Sequence, residues 1–321
     1  MLRFILRRLL QIIPLLLGIT FISFLIMKAA PGDYLTQMSA NPAISQETIA
    51  RLRHDFGLDR PPMVQYFLWL RNALHGDFGY SFAYKQPVFS LIGQYAFNTL
   101  LLGITSLVFS WAIAIPMGIY AATHKNGLMD RLLSLIAFTG ISLPGFFVAL
   151  LALVLAQQTG WFPIGGRESI NHDSMTTAGK FWDVARHLIL PTLVLGTREL
   201  ATIMRQMRGN LLDVLHENYV LAARARGLKE RVVITRHAVR NAINPLITLL
   251  GYDLSGLLAG AALVEIVMNW PGLGRLLLTA VQTQDLYVAM GSFVMGAVLL
   301  ILGNLIADLL LALTDPRIKL S

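Results

Sequence analysis

Apolar positions in this chain run in long blocks, without the alternation of a half-buried strand or the single stripe of a surface helix. Residues 9–27, 86–124 and 132–166 contain no Asp, Glu, Lys or Arg. A helix of ~20 apolar residues crosses the hydrocarbon core of a bilayer, so these blocks predict spanning helices. The first lies between Arg8 and Lys28, interrupted only by Gln11, Pro14 and Gly18. The second covers about 97–122 and the third about 132–157. A fourth starts near Leu188, a fifth covers about 243–267 and a sixth about 288–311. Arg3, Arg7 and Arg8 would also suit the start of a cleaved signal peptide. The apolar run exceeds the roughly 7–15 residues of such a segment, and Pro31 follows Ala29-Ala30, so a retained anchor is expected.

Between the first two spans, about 28–96, the pattern is shorter and mixed. Ser45 reads as an N-cap, 46–56 as a short helix and Gly57 as its stop. Residues 63–75 are apolar at Val64, Phe67, Leu68 and Leu74, with Tyr66 and Trp69 between them, and Tyr80, Phe82 and Tyr84 follow. So many aromatics predict packing on the membrane surface or against a partner. The segment 158–187 opens with Gly160-Trp161-Phe162-Pro163 and is otherwise of mixed charge.

Composition makes the class firm. Apolar residues are 55% and charged residues 14% of 321, where a globular domain carries about 25% charged. The absence of cysteine excludes a disulfide scaffold and a thiolate zinc site. The expected fold is all-α and integral to the membrane with six transmembrane helices: an N-terminal span over 1–30, an outer region over 31–96, and a five-helix core over 97–321. The net charge of +8 is largely a topology signal. Eight Lys and Arg lie in 205–240 alone, and with the N-terminus, the 123–131 loop and the tail they make fifteen, against ten on the alternate segments. Both termini are therefore expected in the cytoplasm, and no nucleic-acid partner is required.

Energy-coupling and catalytic motifs are missing. Gly179-Lys180 has Ser174 where a phosphate-binding loop needs its first glycine, and Phe181 follows. His216-Glu217 has Val220 in place of the second zinc histidine. Gly272-x-Gly274 has Leu277 at the third glycine and precedes no βαβ unit. No G-x-S-x-G elbow occurs. No catalytic residue, metal site or cofactor is expected in this chain.

Two features remain for function. Asn218 to Gly227 is an alanine-rich helix ending in Arg224 and Arg226, with Gly227 placed to turn the chain. A second helix follows, carrying Lys229, Arg236 and Arg240 on one face. Ala222, Ala223 and Gly227 are expected to form the contact surface for another protein, with Glu230 an exposed bystander. The alternatives are a solvated basic loop and, more weakly because spans bracket it closely, a DNA-binding helix-turn-helix. The second feature is charge inside the membrane: Arg198 and Glu199 in the fourth span, Asp253 and Glu265 in the fifth, and Asp308 in the sixth. Each costs roughly 3 kcal/mol at a helix centre, so each needs a cavity or a partner. A polar translocation pathway and structural pairing both fit Arg198 and Glu199, whereas Asp308, with Asn304 one turn earlier, suits structural pairing. Gly256-x-x-x-Gly260 permits close helix packing.

The segment from Ala222 resembles the "EAA" loop of permease subunits of binding-protein-dependent ABC importers. Ala222-Ala223-x-x-x-Gly227 matches it; Leu221 replaces the Glu, and His237-Ala238-Val239 with Asn244-Pro245 replaces the usual ending. Both departures resemble the dipeptide/oligopeptide branch, which writes A-R-A-x-G…H-A-x-x-N. The resemblance continues along the chain. It includes Leu6-Arg7-Arg8-Leu9, Ala30-Pro31-Gly32-Asp33, Leu58-Asp59-x-Pro61 and Gly76-Asp77-Phe78-Gly79. Further on come Leu190-Pro191, Val264-Glu265-x-x-x-x-Trp270-Pro271-Gly272-Leu273-Gly274, Asp285 and Asp315-Pro316-Arg317. It implies a type I ABC-importer permease fold in a bacterial or archaeal cytoplasmic membrane, in contact with membrane lipid, and import of a peptide substrate. The implied partners are a second homologous permease, two ATP-binding subunits that hold ATP and Mg, and an extracytoplasmic solute-binding protein. Ala222, Ala223, Arg224, Gly227 and His237 would form the ATPase-coupling loop, and Arg198, Glu199, Asp253 and Glu265 the candidate pathway. The same motifs serve importers of nickel chelates, glutathione or antimicrobial peptides, and a stand-alone channel or scaffold is the alternative of another class.

Overall fold

The computed structural model describes residues 2–29, 32–39 and 44–314, leaving aside the side chains of 2–12, 37, 248, 249, 251–260 and 307–314. Helices dominate. In chain order they are α1 (Leu2–Ala29), α2 (Tyr34–Ser39), α3 (Gln46–Asp55) and α4 (Pro62–Ala73). A two-residue hairpin, β1 (Tyr80–Ser81) and β2 (Gln86–Pro87), precedes α5 (Val88–Thr123), α6 (Leu128–Ser142), α7 (Gly145–Thr159) and α8 (Thr177–Val214). Then come α9 (Asn218–Ala225), α10 (Glu230–Val232), a π-helical turn Val233–Ala238, α11 (Val239–Ala242), α12 (Asn244–Val267), α13 (Leu273–Gln282) and α14 (Leu286–Thr314). The described residues form two compact units, one from within 2–99 and 271–301, the other from 100–270 and 302–314.

In the first unit, local signals act where the sequence places them. Ser45 Oγ accepts the N–H of Thr48 at 3.2 Å, capping α3, and Gly57 turns the chain at φ +64°. The aromatic expectation needs correction. Tyr66 and Trp69 bury inward with Phe24 and Met290, Tyr66 Oη lies 3.0 Å from Thr20 Oγ1, and Phe82 packs edge-on to Phe56 at 4.5 Å. Phe67 and Leu74 stay exposed, so only part of this stretch is free for a membrane or a partner. Asp285, fully buried, ties the hairpin to α14. Its carboxylate accepts Ser81 Oγ–H at 2.8 Å, the Ala83 N–H at 3.2 Å and the Val288 N–H at 3.3 Å.

The second unit is organised by α8, which packs on α6, α7, α11 and α12. At 1.5 Å per residue it is about 57 Å long, so the fourth predicted span is the middle of a longer rod. Small residues bring α5 against it. A methyl group on Gly118 would stand 2.8 Å from the Met204 carbonyl oxygen, and Ser110 Oγ donates to the Gly196 carbonyl at 2.9 Å. Such close approach replaces hydrophobic driving force where the surroundings are lipid.

Three described helical stretches are long and apolar enough to cross a membrane: one beginning at Ile13, one at Val88–Thr123 and one at Leu286–Ile306. The second begins at Val88, ahead of the expected Phe97. The expected continuous third span is corrected: α6 and α7 meet at a 106° bend. Pro144 removes a backbone donor and pushes Leu143 into extended geometry, φ −82° and ψ 132°. The pair counts as a fourth crossing only if it is one broken span. The remaining two of the six expected spans fall on α8, which carries Arg198 and Glu199, and on α12, where the side chains of 251–260 are outside the described residues.

Candidate coupling segment and intramembrane charges

The segment after α8 folds back on itself. The chain leaves α8 at Val214, turns through His216 and Glu217 into α9, and reaches Gly227 at φ +78°. Gly227 N–H donates to the Arg224 carbonyl at 2.9 Å. A Cβ at Gly227 would meet nothing within 4 Å, so backbone conformation is what demands glycine there. The return strand of helix, 230–242, contains a π turn in which Thr235 Oγ1 donates to the Arg231 carbonyl at 2.7 Å. That turn advances the register, so the expected regular helix through Lys229, Arg236 and Arg240 is interrupted.

Helical spacing gives α9 two faces. Val220 and Ala223 are fully buried against Leu211, Val233, Ala238 and Ala242. Leu221, Ala222 and Ala225 point away and are exposed, with Leu228 and Val232 beyond the turn. Ala223 faces this chain's own core, and its small size is set by that packing; Ala222, Ala225 and the exposed Leu221 form the outer face. His237 is half-buried, and its carbonyl accepts Asn241 Nδ2 at 3.3 Å.

Arg224 is a staple. Its Nε donates to both Glu230 carboxylate oxygens at 3.2 and 3.1 Å, its Nη2 donates to Oε1 at 2.7 Å, and its Nη1 reaches the Leu215 carbonyl at 3.4 Å. The end of α8, α9 and α10 are thereby held together. These hydrogen bonds hold the Glu230 carboxyl below the usual carboxylate range and Arg224 above its own. Glu230 is thus no bystander. Asn241 Nδ2 adds a 2.7 Å bond to Tyr219 Oη, closing α9 on the returning helix.

The candidate pathway residues separate. Arg198 is exposed and Glu199 half-buried on adjacent positions of α8, whereas Glu265 on α12 is fully buried. The Asp253 and Asp308 side chains lie outside the described residues, as do those of the Gly256–Gly260 motif. A fully buried Glu265 does not line an aqueous surface within this chain, so it shares no such lining with Arg198 and Glu199 here.

Sequence reasoning missed two charge clusters. Arg208 grips Asp130 with Nε to Oδ1 at 2.6 Å and Nη2 to Oδ2 at 2.8 Å, and the Asn126 N–H adds 2.9 Å. The Lys/Arg count takes Arg208 only as a topology charge and leaves Asp130 out; the available signal is a lone acid among the basic residues of the 123–131 loop. The second cluster surrounds Asp183 near the start of α8, ahead of the predicted span. Ser169 donates to it from both N–H and Oγ–H, and His172 Nδ1 lies 2.8 Å away. Burial pushes the Asp183 carboxyl up, but these hydrogen bonds outweigh it and hold it at about 2. Among the described residues no group of three His, Cys, Asp or Glu is placed to hold a metal ion.

Known proteins resemble this chain along its whole length. Residues 1–103 match the N-terminal family profile of binding-protein-dependent transport system membrane components, and residues 114–320 match the profile described as binding-protein-dependent transport system inner membrane component. The oligopeptide transport system permease protein AppB of Bacillus subtilis is 43% identical over 98% of this chain and 99% of its own. The dipeptide transport system permease protein DppB of Escherichia coli K12 is 38% identical, with 99% of each chain covered. The glutathione transport system permease protein GsiC of Salmonella paratyphi A is 37% identical, also over 99% of each. With the outward apolar face of α9 and the glycine turn that ends it, these matches identify the chain as a member of the binding-protein-dependent transport system inner membrane component family.

Proposed function

We propose that this chain is a pore-forming permease subunit of an ABC importer for dipeptides or oligopeptides, driven through the α9 segment. The observation that carries the reading is the stapled protrusion at the end of α8. It presents Leu221, Ala222 and Ala225 outward at the end of a 38-residue helix, so force applied there moves a rigid lever. No chemistry is assigned to the chain itself: ATP and Mg would be bound by two partner ATP-binding subunits, and a second homologous permease would complete the pore. An extracytoplasmic binding protein would deliver the peptide. The segment 205–242 and both termini are placed in the cytoplasm, 31–96 outside, and α8 and α12 are counted with the other crossings to give six spans in the inner membrane. Arg198 and Glu199 are assigned to the pathway, whereas Glu265, expected with them from the sequence, is reassigned to structural pairing because it is fully buried.

Glutathione is the second reading for substrate, because a glutathione permease is 37% identical over nearly the whole chain and glutathione is itself peptide-like. Affinity purification of the tagged chain from its own membranes tests the class. An ATP-hydrolysing subunit should copurify, and labelled dipeptide uptake should need it. A chain that purifies alone and conducts solute in empty liposomes without ATP is a channel, and the permease reading fails.

A further inference from the structure

In the second unit the junction of α6 and α7 interrupts the backbone deep inside a membrane crossing, and coupling does not use it. Two charge clusters bracket the stretch of α8 on which the junction packs. Asp183, held by Ser169 and His172, stands at one end, and Arg208, gripping Asp130, at the other. At 1.5 Å per residue they are about 38 Å apart along α8, which spans a hydrocarbon core of ~30 Å and part of its headgroup regions. Gly140 fixes the level of the break: a methyl group there would stand 3.3 Å from Ala201 Cβ and 3.6 Å from the Thr197 carbonyl oxygen. Thr197 is about 21 Å from Asp183 and about 16 Å from Arg208 along the helix. Leu143 and Pro144 therefore interrupt the backbone near the middle of the crossing.

The junction is open as well as broken. The Leu143 N–H reaches the Thr139 carbonyl at 3.2 Å, and the Phe147 and Val148 N–H groups reach the Pro144 carbonyl at 3.0 and 3.2 Å. The last carbonyls of α6 and the first N–H groups of α7, at Gly145 and Phe146, have no helical partner, and Pro144 supplies no side-chain cap. Ser142, Pro144, Gly145 and Phe146 are exposed. Gly145 shares a face of α7 with Ala149 and Ala156, both fully buried in a cluster with Leu190 and Val194 of α8. At Gly145 that face opens, and a Cβ there would meet nothing within 4 Å. The stripe of Leu190 and Val194 on α8 likewise leads, one turn on, to the exposed Arg198, next to Thr197 at the level of the break. Each packed face thus ends one turn short of the junction.

Irregular backbone is tolerated at membrane depth only inside protein or against water, and an arginine at that depth obeys the same limit. Lipid therefore does not cover the break. We propose that the exposed junction of α6 and α7 lines the water-filled translocation pathway, an inference that rests on the transport reading above and adds Ser142, Gly145 and Phe146 to Arg198 and Glu199 as its lining. Water satisfies a guanidinium and several unpaired amide groups at one level, whereas a second protein would have to match each of them. A peptide main chain carries the same donors and acceptors, so it can replace that water group by group. Backbone contacts of this kind hold a peptide without selecting its side chains.

The chain has no cysteine, so Ser142→Cys and Gly145→Cys are made singly in the assembled complex in membrane vesicles. Val154→Cys, exposed on the opposite face of α7 from Gly145, is the comparison. A charged methanethiosulfonate applied from either side should modify the first two at least tenfold faster than the third in one nucleotide state, and the dipeptide Ala-Phe should slow that reaction. Rates no faster than that of Val154→Cys, with and without ATP, give the junction to a second protein and overturn the proposal. The unsubstituted complex answers the same question by hydroxyl-radical labelling, so misfolding of a variant cannot hide the result: Phe146 should be oxidised, and its escape in every nucleotide state overturns the proposal too. Labelled Ala-Phe uptake is measured alongside. Uptake together with modification that Ala-Phe does not slow places the junction off the route and sinks this proposal alone. Fast modification without any Ala-Phe uptake sinks the peptide reading and leaves the lining standing.

Discussion

At Gly227 open space surrounds the missing side chain, and the positive φ is what restricts the residue. A β-branched residue at that φ is an outlier, with strain of order 1–3 kcal/mol, whereas Asn visits the left-handed region more readily. We therefore expect Gly227→Val to abolish uptake and Gly227→Asn to retain a measurable fraction of it, with both proteins inserted normally. Equal uptake by the two variants would show that the turn conformation is not what matters. A second residue-scale test concerns Asp130, whose side chain is 3% exposed while that of Arg208 is 26% exposed. Asp130→Asn should destabilise the chain by about 2 kcal/mol, the scale of charge-assisted bonds with one partner still wetted. Arg208→Lys should not be neutral either, since an ammonium cannot make the paired fork. Thermal midpoints of the purified chain measure both effects.

Among the elements, α9 depends on the Arg224–Glu230 staple, and its pH dependence follows from the direction of each shift. Glu230 is held below its ordinary value, so its contribution is present above the unfolded pKa of about 4.3 and is lost as pH falls through the lower folded value. Arg224 is raised, so its contribution is present below its unfolded pKa and is lost only above its folded one. Between pH 5 and 8 the staple should not vary. Because both side chains are partly exposed, Glu230→Gln should cost under about 1 kcal/mol, read as faster amide exchange over 224–232 at neutral pH. Unchanged exchange there would remove the staple from the coupling element.

The elements also show what the sequence could reveal. The Ser45 cap and the Gly57 and Gly227 turns were legible because each signal acts within a few residues of itself. The α6–α7 bend was not drawn, although Pro144 stood in the sequence, because a uniformly apolar run has no period to break. The inward Ala223 and outward Ala222 could not be separated by composition, since both are small. Asp130 and Arg208 meet across 78 positions, and no local pattern encodes such a meeting.

On the scale of the whole molecule, fold and function meet in topology and in coupling. The Lys/Arg asymmetry predicts that 205–240 lies inside, and with no native cysteine a single Lys229→Cys should then stay unlabelled by an impermeant maleimide in intact cells. Labelling from outside would invert the topology. The measurement nearest the central claim is ATP hydrolysis by the purified complex, stimulated by binding protein and peptide, in Ala222→Arg. That substitution puts a long cation on the exposed face of α9 while the buried Val220 and Ala223 keep the segment folded. We expect stimulated hydrolysis and uptake to fall at least tenfold, or the ATPase to be lost from the complex, with the fold of the chain intact. Full stimulation and normal uptake in Ala222→Arg would contradict the assignment of α9 as the element through which the ATPase drives transport.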